Sequence, residues 1–339
     1  MSTSRNVDRV EKQGSGRPTI GLDVGGTKIA GGVIDAAGAI VERTQVPTAA
    51  DHPETIVADM IEVARDLSAK IPDVAAVGVG AAGLVDSARG VILGAPNLAY
   101  RDVAVGETIT KELGLPAIVD NDANVAALAE AIHGAGREAG DQIMVTVGTG
   151  IGGGIIIDRR IYRGHYGVGA ELGHMIVDPD GPVCGCGNRG CWEAVASGNA
   201  IGKLARQRVE GGAGPDVLAR AGGDIAAITG ELVGEAAQDG DPFARDVLAE
   251  IGRLLGIGFA SIVNIFDPEI IVVGGGAAAG NGELLLAPAR ESMTAHILGT
   301  AWRRPVRVVT AELGNDAGIV GAAVLARETE AGDSAAPGS

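Results

Sequence analysis

Residues 20–34 read IGLDVGGTKIAGGVI, and residues 143–157 read IMVTVGTGIGGGIII. Shifted by 123 positions, Ile20, Val24, Gly25, Gly31 and Ile34 recur identically. Each copy is an apolar run, a glycine turn and a second apolar run, which predicts a strand and a returning strand. One account is coincidence, because the chain holds 55 glycines and many Ile and Val residues. The other is duplication, with two α/β halves that each open on a glycine hairpin. Two such hairpins facing across a cleft offer two sets of backbone N–H groups to a polyphosphate.

The segments between the copies fit alternating strands and helices. A third strand is expected at Ile40–Val46. Ile56, Met60, Val63 and Leu67 recur at helical spacing after Pro53, which predicts a helix over 53–70. Val74–Ala81 and Ala117–Val119 are short apolar runs of the kind that form buried strands. Val125, Leu128, Ala129 and Ile132 then mark one face of a helix. Further helices are expected at Glu193–Val209, Leu248–Phe266 and Asn315–Arg327, and strands at Glu269–Val273 and Val306–Val309. Residues 210–240, rich in Gly and Ala, predict short helices joined by loops. The division expected is 18–122 plus 314–328 as a small N-terminal α/β domain and 123–313 as a larger C-terminal one. Residues 1–17 and 329–339 are polar and read as disordered tails.

The chain's three cysteines, Cys184, Cys186 and Cys191, fall in one segment, Glu171–Glu193, together with His174. Chance clustering, or a disulfide with a spare thiol, are the plainer readings. Three thiols and an imidazole within so short a span can instead close a tetrahedral Cys3His zinc site. Such a site has no open position for water, so its expected task is to fix a loop. The N-terminal residues lack the apolar core of a signal peptide, and no run of 18 apolar residues occurs. A cytoplasmic protein with reduced thiols and no membrane partner is therefore expected. The net charge of −16 disfavours a broad nucleic-acid surface, which needs clustered Lys and Arg.

Several residues are candidates for chemistry. In the first hairpin, Gly25 and Gly26 let phosphate oxygens approach the backbone, and Thr27 and Lys28 add a hydroxyl and a cation. Asp23 can hold a magnesium ion through water. The Walker A spacing is absent, and an ordinary Gly-Gly hairpin is the alternative. Gly148-Thr149-Gly150 is a second phosphate candidate. Gly274-Gly275-Gly276, after an apolar run, is a third, suited to a flat base or to a simple turn into a helix. Asp122, in Asp120-Asn121-Asp122-Ala123-Asn124, sits at a strand-to-helix junction. It can accept a proton from a substrate hydroxyl, or simply cap the helix. Glu171 and Glu193 can accept pairs of hydroxyls, or be solvated charge.

Together, Asp23–Lys28, Asn121–Asn124, Val147–Gly154, Glu171-Leu172-Gly173-His174 and the run Cys184–Glu193 resemble the ROK family of sugar kinases and repressors. That family lies within the actin, hexokinase and Hsp70 superfamily. The segment Ala95-Pro96-Asn97-Leu98 looks most like the family's glucokinases. The resemblance implies two ribonuclease H-like domains flanking a cleft, with the C-terminal helix returning to the first. It implies ATP and Mg2+ as donor, glucose as acceptor and Asp122 as catalytic base. It further implies Asn97, Asn121, Glu171, His174 and Glu193 as sugar ligands, and His174, Cys184, Cys186 and Cys191 as ligands of a structural zinc. Gly25, Gly26, Thr27, Lys28, Gly148, Thr149, Gly150, Gly275 and Gly276 fall to the nucleotide, and a homodimer or homotetramer is expected. The alternatives are N-acetylmannosamine, fructose or allose as acceptor, or polyphosphate as donor. A repressor is a further alternative, disfavoured because only about 18 residues precede the first strand, too few for a helix-turn-helix module.

Overall fold

The structure, a computed structural model, describes residues 16–49, 52–95 and 98–332. Residues 1–15 and 333–339 of the expected disordered tails lie outside the described residues, whereas 329–332, expected to be disordered, continue the C-terminal helix Ala317–Gly332. In chain order the elements are β1 (Thr19–Val24), β2 (Lys28–Ile34), β3 (Ile40–Pro47), α1 (Pro53–Lys70), β4 (Val77–Ala81), β5 (Leu84–Asp86), β6 (Val91–Ala95) and β7 (Leu98–Val103). Then come α2 (Val105–Leu113), β8 (Ala117–Asn121), α3 (Asp122–Ile132), β9 (Gln142–Val147), β10 (Ile151–Ile157) and β11 (Arg160–Ile161). The remainder are α4 (Trp192–Ala196), α5 (Gly198–Glu210), α6 (Pro215–Arg220), α7 (Gly230–Gln238), α8 (Pro242–Phe266), β12 (Ile270–Gly274), α9 (Gly276–Asn281), α10 (Glu283–His296), β13 (Arg307–Thr310) and α11 (Ala317–Gly332).

These elements form two compact units. Among the described residues, the first holds 16–133, 161–169 and 315–332, and the second holds 134–160 and 170–314. The sequence places a boundary between Asp122 and Ala123. Helix α3 nevertheless packs on α11 and stays with the first unit.

The first unit is built on a sheet of order β3-β2-β1-β4-β8. Strands β1, β2 and β3 are antiparallel, whereas β1, β4 and β8 run parallel. Successive strand residues face opposite sides, and β2 shows what covers each side. A Cβ on Gly31 would meet Val63 and Leu67 of α1, and one on Gly32 would meet Ile319 of α11. Helix α11 lies so close to β4 that a Cβ on Gly78 would strike the backbone carbonyl of Ala322. Gly78→Ala is therefore expected to cost about 1–3 kcal/mol of stability, as overpacking does. Urea unfolding would show it, and an unchanged midpoint would contradict this contact.

The second unit repeats the plan. Its sheet has the order β11-β10-β9-β12-β13, with β9 and β10 antiparallel and β9, β12 and β13 parallel. Strands β9 and β10 begin 123 positions after β1 and β2, so the sequence repeat is a repeat of structure. The turns differ by one residue, because Val24 pairs with Ile29 but Val147 pairs with Ile151.

Helix α8 has the length and composition of a membrane span. Its Leu248, Ile251, Leu255, Phe259, Ile262 and Val263 are nevertheless buried in the core of this unit. The helix starts at Pro242 rather than Leu248, because the Asp241 side chain accepts from the Ala244 N–H at 2.7 Å and caps it. Trp192 packs edge-on against Phe259 at 5.7 Å between ring centroids, and its Nε1 donates to the Leu254 carbonyl.

Candidate active site

In the first unit, β1 carries Asp23 to its C-terminal end, and the hairpin turn Gly25–Thr27 follows. The turn is tied from β3 and beyond. The Gly25 N–H donates to the Lys28 carbonyl, and Thr48 donates to the Gly25 carbonyl through its hydroxyl and to the Thr27 carbonyl through its N–H. Gly26, Thr27 and Lys28 are exposed.

Asn121 and Asp122 sit where β8 becomes α3. The cap of α3 is Asn121, not Asp122: Asn121 Oδ1 accepts from the Ala123 and Asn124 N–H groups at 2.9 and 3.2 Å. Asn121 Nδ2 donates to the Gly83 carbonyl at 3.0 Å. That leaves Asp122 as the first helical residue, with one oxygen accepting from the Ala123 N–H. Among the described residues no Lys or Arg forms an ion pair with it. Burial pushes its pKa above the ordinary carboxylate range, while the backbone N–H groups and the Asn121 side chain pull it down. Asp23 is pushed up to about 6, first by burial and then by the Asp122 charge, with Lys28 opposing.

In the second unit, β9 and β10 enclose Gly148–Gly150. Nothing lies within 4 Å of where a Cβ on Gly148 would stand, and its φ is not left-handed. Neither packing nor backbone conformation demands glycine there, so the space suits a group that approaches the backbone from outside. Gly150 is different, because a Cβ there would strike Glu193 Oε2. Gly275 also has a structural reason: its φ is +90° and a Cβ would meet the Val147 backbone. Gly276 opens α9 with open space around it.

The segment Glu171–Glu193 gathers around its thiols. Glu171 precedes a single helical turn, Leu172–His174, and is exposed. Cys184 Sγ lies 3.8 Å from His174 Nδ1, and Cys186 Sγ lies 3.6 Å from Cys191 Sγ. All four ligand atoms fall within 4.8 Å of one another. Zinc–sulfur bonds of about 2.3 Å in a tetrahedron separate the sulfurs by about 3.8 Å, so the donor set and its spacing fit zinc. Burial pushes the Cys191 thiol up to about 12 and the Cys184 thiol up as well, whereas the backbone of Asn188 holds Cys186 down. A divalent ion supplies the charge that turns such thiols into thiolates.

Glu193 shows contacts that its residue type did not suggest. Its Oε2 accepts from the Ile151 N–H at 3.0 Å, and its Oε1 lies 3.6 Å from Cys184 Sγ. It therefore ties the thiol cluster to the glycine hairpin. Asn97 lies outside the described residues. Sequence reading also passed over Asp120 and Arg163, which pair at 2.6 Å. The signal available for Asp120 was its place inside an acidic and amide run at a strand end, while Arg163 had none.

Two α/β units with one strand order, each opening on a glycine hairpin, define a protein of the actin and hexokinase class. The ROK family model matches residues 19–329. The glucokinase of Streptomyces coelicolor is 44% identical over 316 residues, covering 92% of this chain and 98% of that protein. Among solved structures, a ROK family glucokinase from Streptomyces griseus, in complex with glucose and AMPPNP, superposes with a TM-score of 0.81. It is 44% identical, covering 92% of this chain and 99% of that one. A ROK family transcriptional regulator homologous to the E. coli MLC protein also has a TM-score of 0.81, at 27% identity, over 93% of this chain and 78% of its own. This chain belongs to the ROK family.

Proposed function

We propose that this chain is an ATP-dependent glucokinase that transfers the terminal phosphoryl group of ATP to the 6-hydroxyl of glucose. The observation that carries the reading is Asp122, a carboxylate with a raised pKa, no protein cation beside it and a capped helix start beneath it. In this reading Asp122 takes the proton as the hydroxyl attacks. Phosphoryl transfer otherwise needs positioning and charge stabilisation. The hairpins Gly25–Lys28 and Gly148–Gly150 offer backbone N–H groups to the phosphates, and Gly276, which Gly275 sets in place against Val147, gives room for the nucleoside. Asp23 would hold Mg2+ through water, which supplies charge neutralisation at the phosphates.

Glu171, His174 and Glu193, with Asn97 and Asn121, are assigned to sugar hydroxyls. His174 turns Nδ1 towards the thiols, which leaves Nε2 for a hydroxyl. The Asn121 side chain already makes three hydrogen bonds within the protein. It also lies in hydrogen-bonding contact with Asp122, so binding a sugar hydroxyl would require Asn121 to share its Nδ2–H. Cys184, Cys186, Cys191 and His174 hold a structural zinc. Glucose is preferred over other hexoses because glucokinases match at 44% and 36% identity, whereas N-acetylmannosamine kinases match over a similar span at 30%. Reduced thiols in such a site suit the cytoplasm.

A coupled ADP assay with glucose, N-acetylmannosamine, fructose and allose tests the acceptor, and replacing ATP with polyphosphate tests the donor. Glucose with ATP should give the highest kcat/KM. An analogue lacking one bound hydroxyl leaves buried polar groups unpaired, at about 1–3 kcal/mol each. A tenfold preference for another hexose would overturn the assignment.

A further inference from the structure

We propose that the ion pair between Asp120 and Arg163 positions the Asn121–Asp122 turn, making Arg163 a positioning residue for phosphoryl transfer. This rests on the reading of Asp122 as the base. The Asp122 carboxylate is held by the Ala123 N–H and by the Asn121 side chain, so its place is inherited from its neighbours. Both neighbours are held by one carboxylate. Asp120 Oδ1 accepts from the Asn121 N–H at 2.7 Å and from Asn124 Nδ2 at 2.9 Å. Asp122 lies between those two residues in the chain. Asp120 Oδ2 accepts from Arg163 Nε at 2.6 Å.

The Asp120 side chain is 1% exposed, and Arg163 is 26% exposed. A carboxylate this deep needs a partner charge, because unpaired burial is costly. Among the described residues Arg163 is the cation that pairs with it. Arg163 does not lie on the sheet or on a helix of the first unit. It comes from segment 161–169, which belongs to the first unit although the chain on both sides belongs to the second. The segment is itself folded: the Gly169 N–H donates to the Arg163 carbonyl, and Gly167 has φ +80°, with the Val85 carbonyl 3.3 Å from where a Cβ would stand. Arg163 is thus presented by a built strap, and that strap runs on into Glu171 and His174. Without the guanidinium, Asp120 is left without its counter-charge two residues from the base, and the clamp on Asn121 and Asn124 loses its fixed end.

The test uses the full chain with Arg163→Met, Arg163→Lys, Asp122→Asn and the Arg163→Met/Asp122→Asn double variant. Arg163→Met should lower kcat by about 10- to 100-fold, the effect of misplacing a reacting group, with the ATP KM within about twofold of wild type. Arg163→Lys keeps the charge and should recover part of the loss, and it stands in if Arg163→Met folds poorly. In the Asp122→Asn background Arg163→Met should add no further loss, because there is no base left to position. Equal losses in both backgrounds, or an Arg163→Met kcat at the wild-type level, would overturn the proposal. Failure of the base assignment itself would appear separately, as wild-type turnover in Asp122→Asn alone.

Discussion

Asp122→Asn lowers glucose turnover by about 10²–10⁴-fold, while glucose affinity stays near the wild-type value. The amide keeps the shape of the side chain and the Ala123 contact but cannot accept the hydroxyl proton. Isothermal titration with glucose and a coupled ADP assay separate the two effects, and near wild-type turnover would remove Asp122 from the mechanism. The pH dependence has a definite sign. Burial raises the Asp122 pKa, so wild-type turnover should fall on the acid side at a higher pH than an ordinary carboxylate would set. Asp23 is itself pushed up to about 6, and part of its shift is the Asp122 charge. Stability runs the other way. A carboxylate whose folded pKa is raised contributes stability below its unfolded value of 3.8, and this is lost as pH rises through about 6. Above pH 6 ionised Asp23 therefore costs stability, and because part of its shift is the Asp122 charge, Asp122→Asn should melt at a higher temperature than wild type. That advantage should shrink towards pH 4.

The contrast between Asp122 and Asp120 shows how far the sequence could be read. The repeated hairpins were legible because glycine turns between β-branched runs encode strands locally, and the α1 boundaries matched because Pro53 and the apolar spacing fix them. Strands β5, β6 and β7 were not legible, because Gly94, Arg101 and Asp102 interrupt their apolar residues and β5 has only three residues. Helix α10 carries Pro288 inside it, which argues locally for a break. It survives because it packs against α8, where Gly252 makes room for Pro288. The expected helix over Glu193–Val209 is two helices, because Ser197 leaves the first and caps the second by accepting from the Ala200 N–H. Within the site, local order was enough to single out His174, Cys184, Cys186 and Cys191, whose ligand atoms lie together, whereas at Asp122 it left a base and a helix cap open. It did not suffice for Glu193, whose partner Ile151 is 42 positions away, or for Asp120 and Arg163, 43 positions apart. Those pairings exist only once the units have folded.

His174→Ala is expected to lose zinc and glucose affinity together. Nδ1 is one of four closely set ligand atoms, and the other ring nitrogen is assigned to the sugar. Losing the metal has a wide reach. Structural zinc contributes about 10–16 kcal/mol of apparent binding energy in zinc-finger peptides, and here it would hold Cys191 and Cys184 as thiolates against the burial that raises them. The freed loop ends at Cys191, where α4 begins with Trp192 and Glu193, and Glu193 holds the Ile151 N–H beside the hairpin Gly148–Gly150. The ATP KM should therefore rise along with the loss of sugar affinity. Losing one charged or metal-fixed hydrogen bond, at about 1–3 kcal/mol, already corresponds to roughly 10- to 100-fold in glucose Kd. Cys186→Ser separates the two tasks, because Cys186 is an exposed ligand with no assigned sugar contact. Elemental analysis of both variants, paired with glucose titration, decides between scaffold and direct contact. If Cys186→Ser loses zinc and glucose affinity falls with it, the metal sets the sugar site through the loop. If zinc leaves and glucose affinity holds, the metal is not the scaffold, and the His174 effect is its own hydrogen bond.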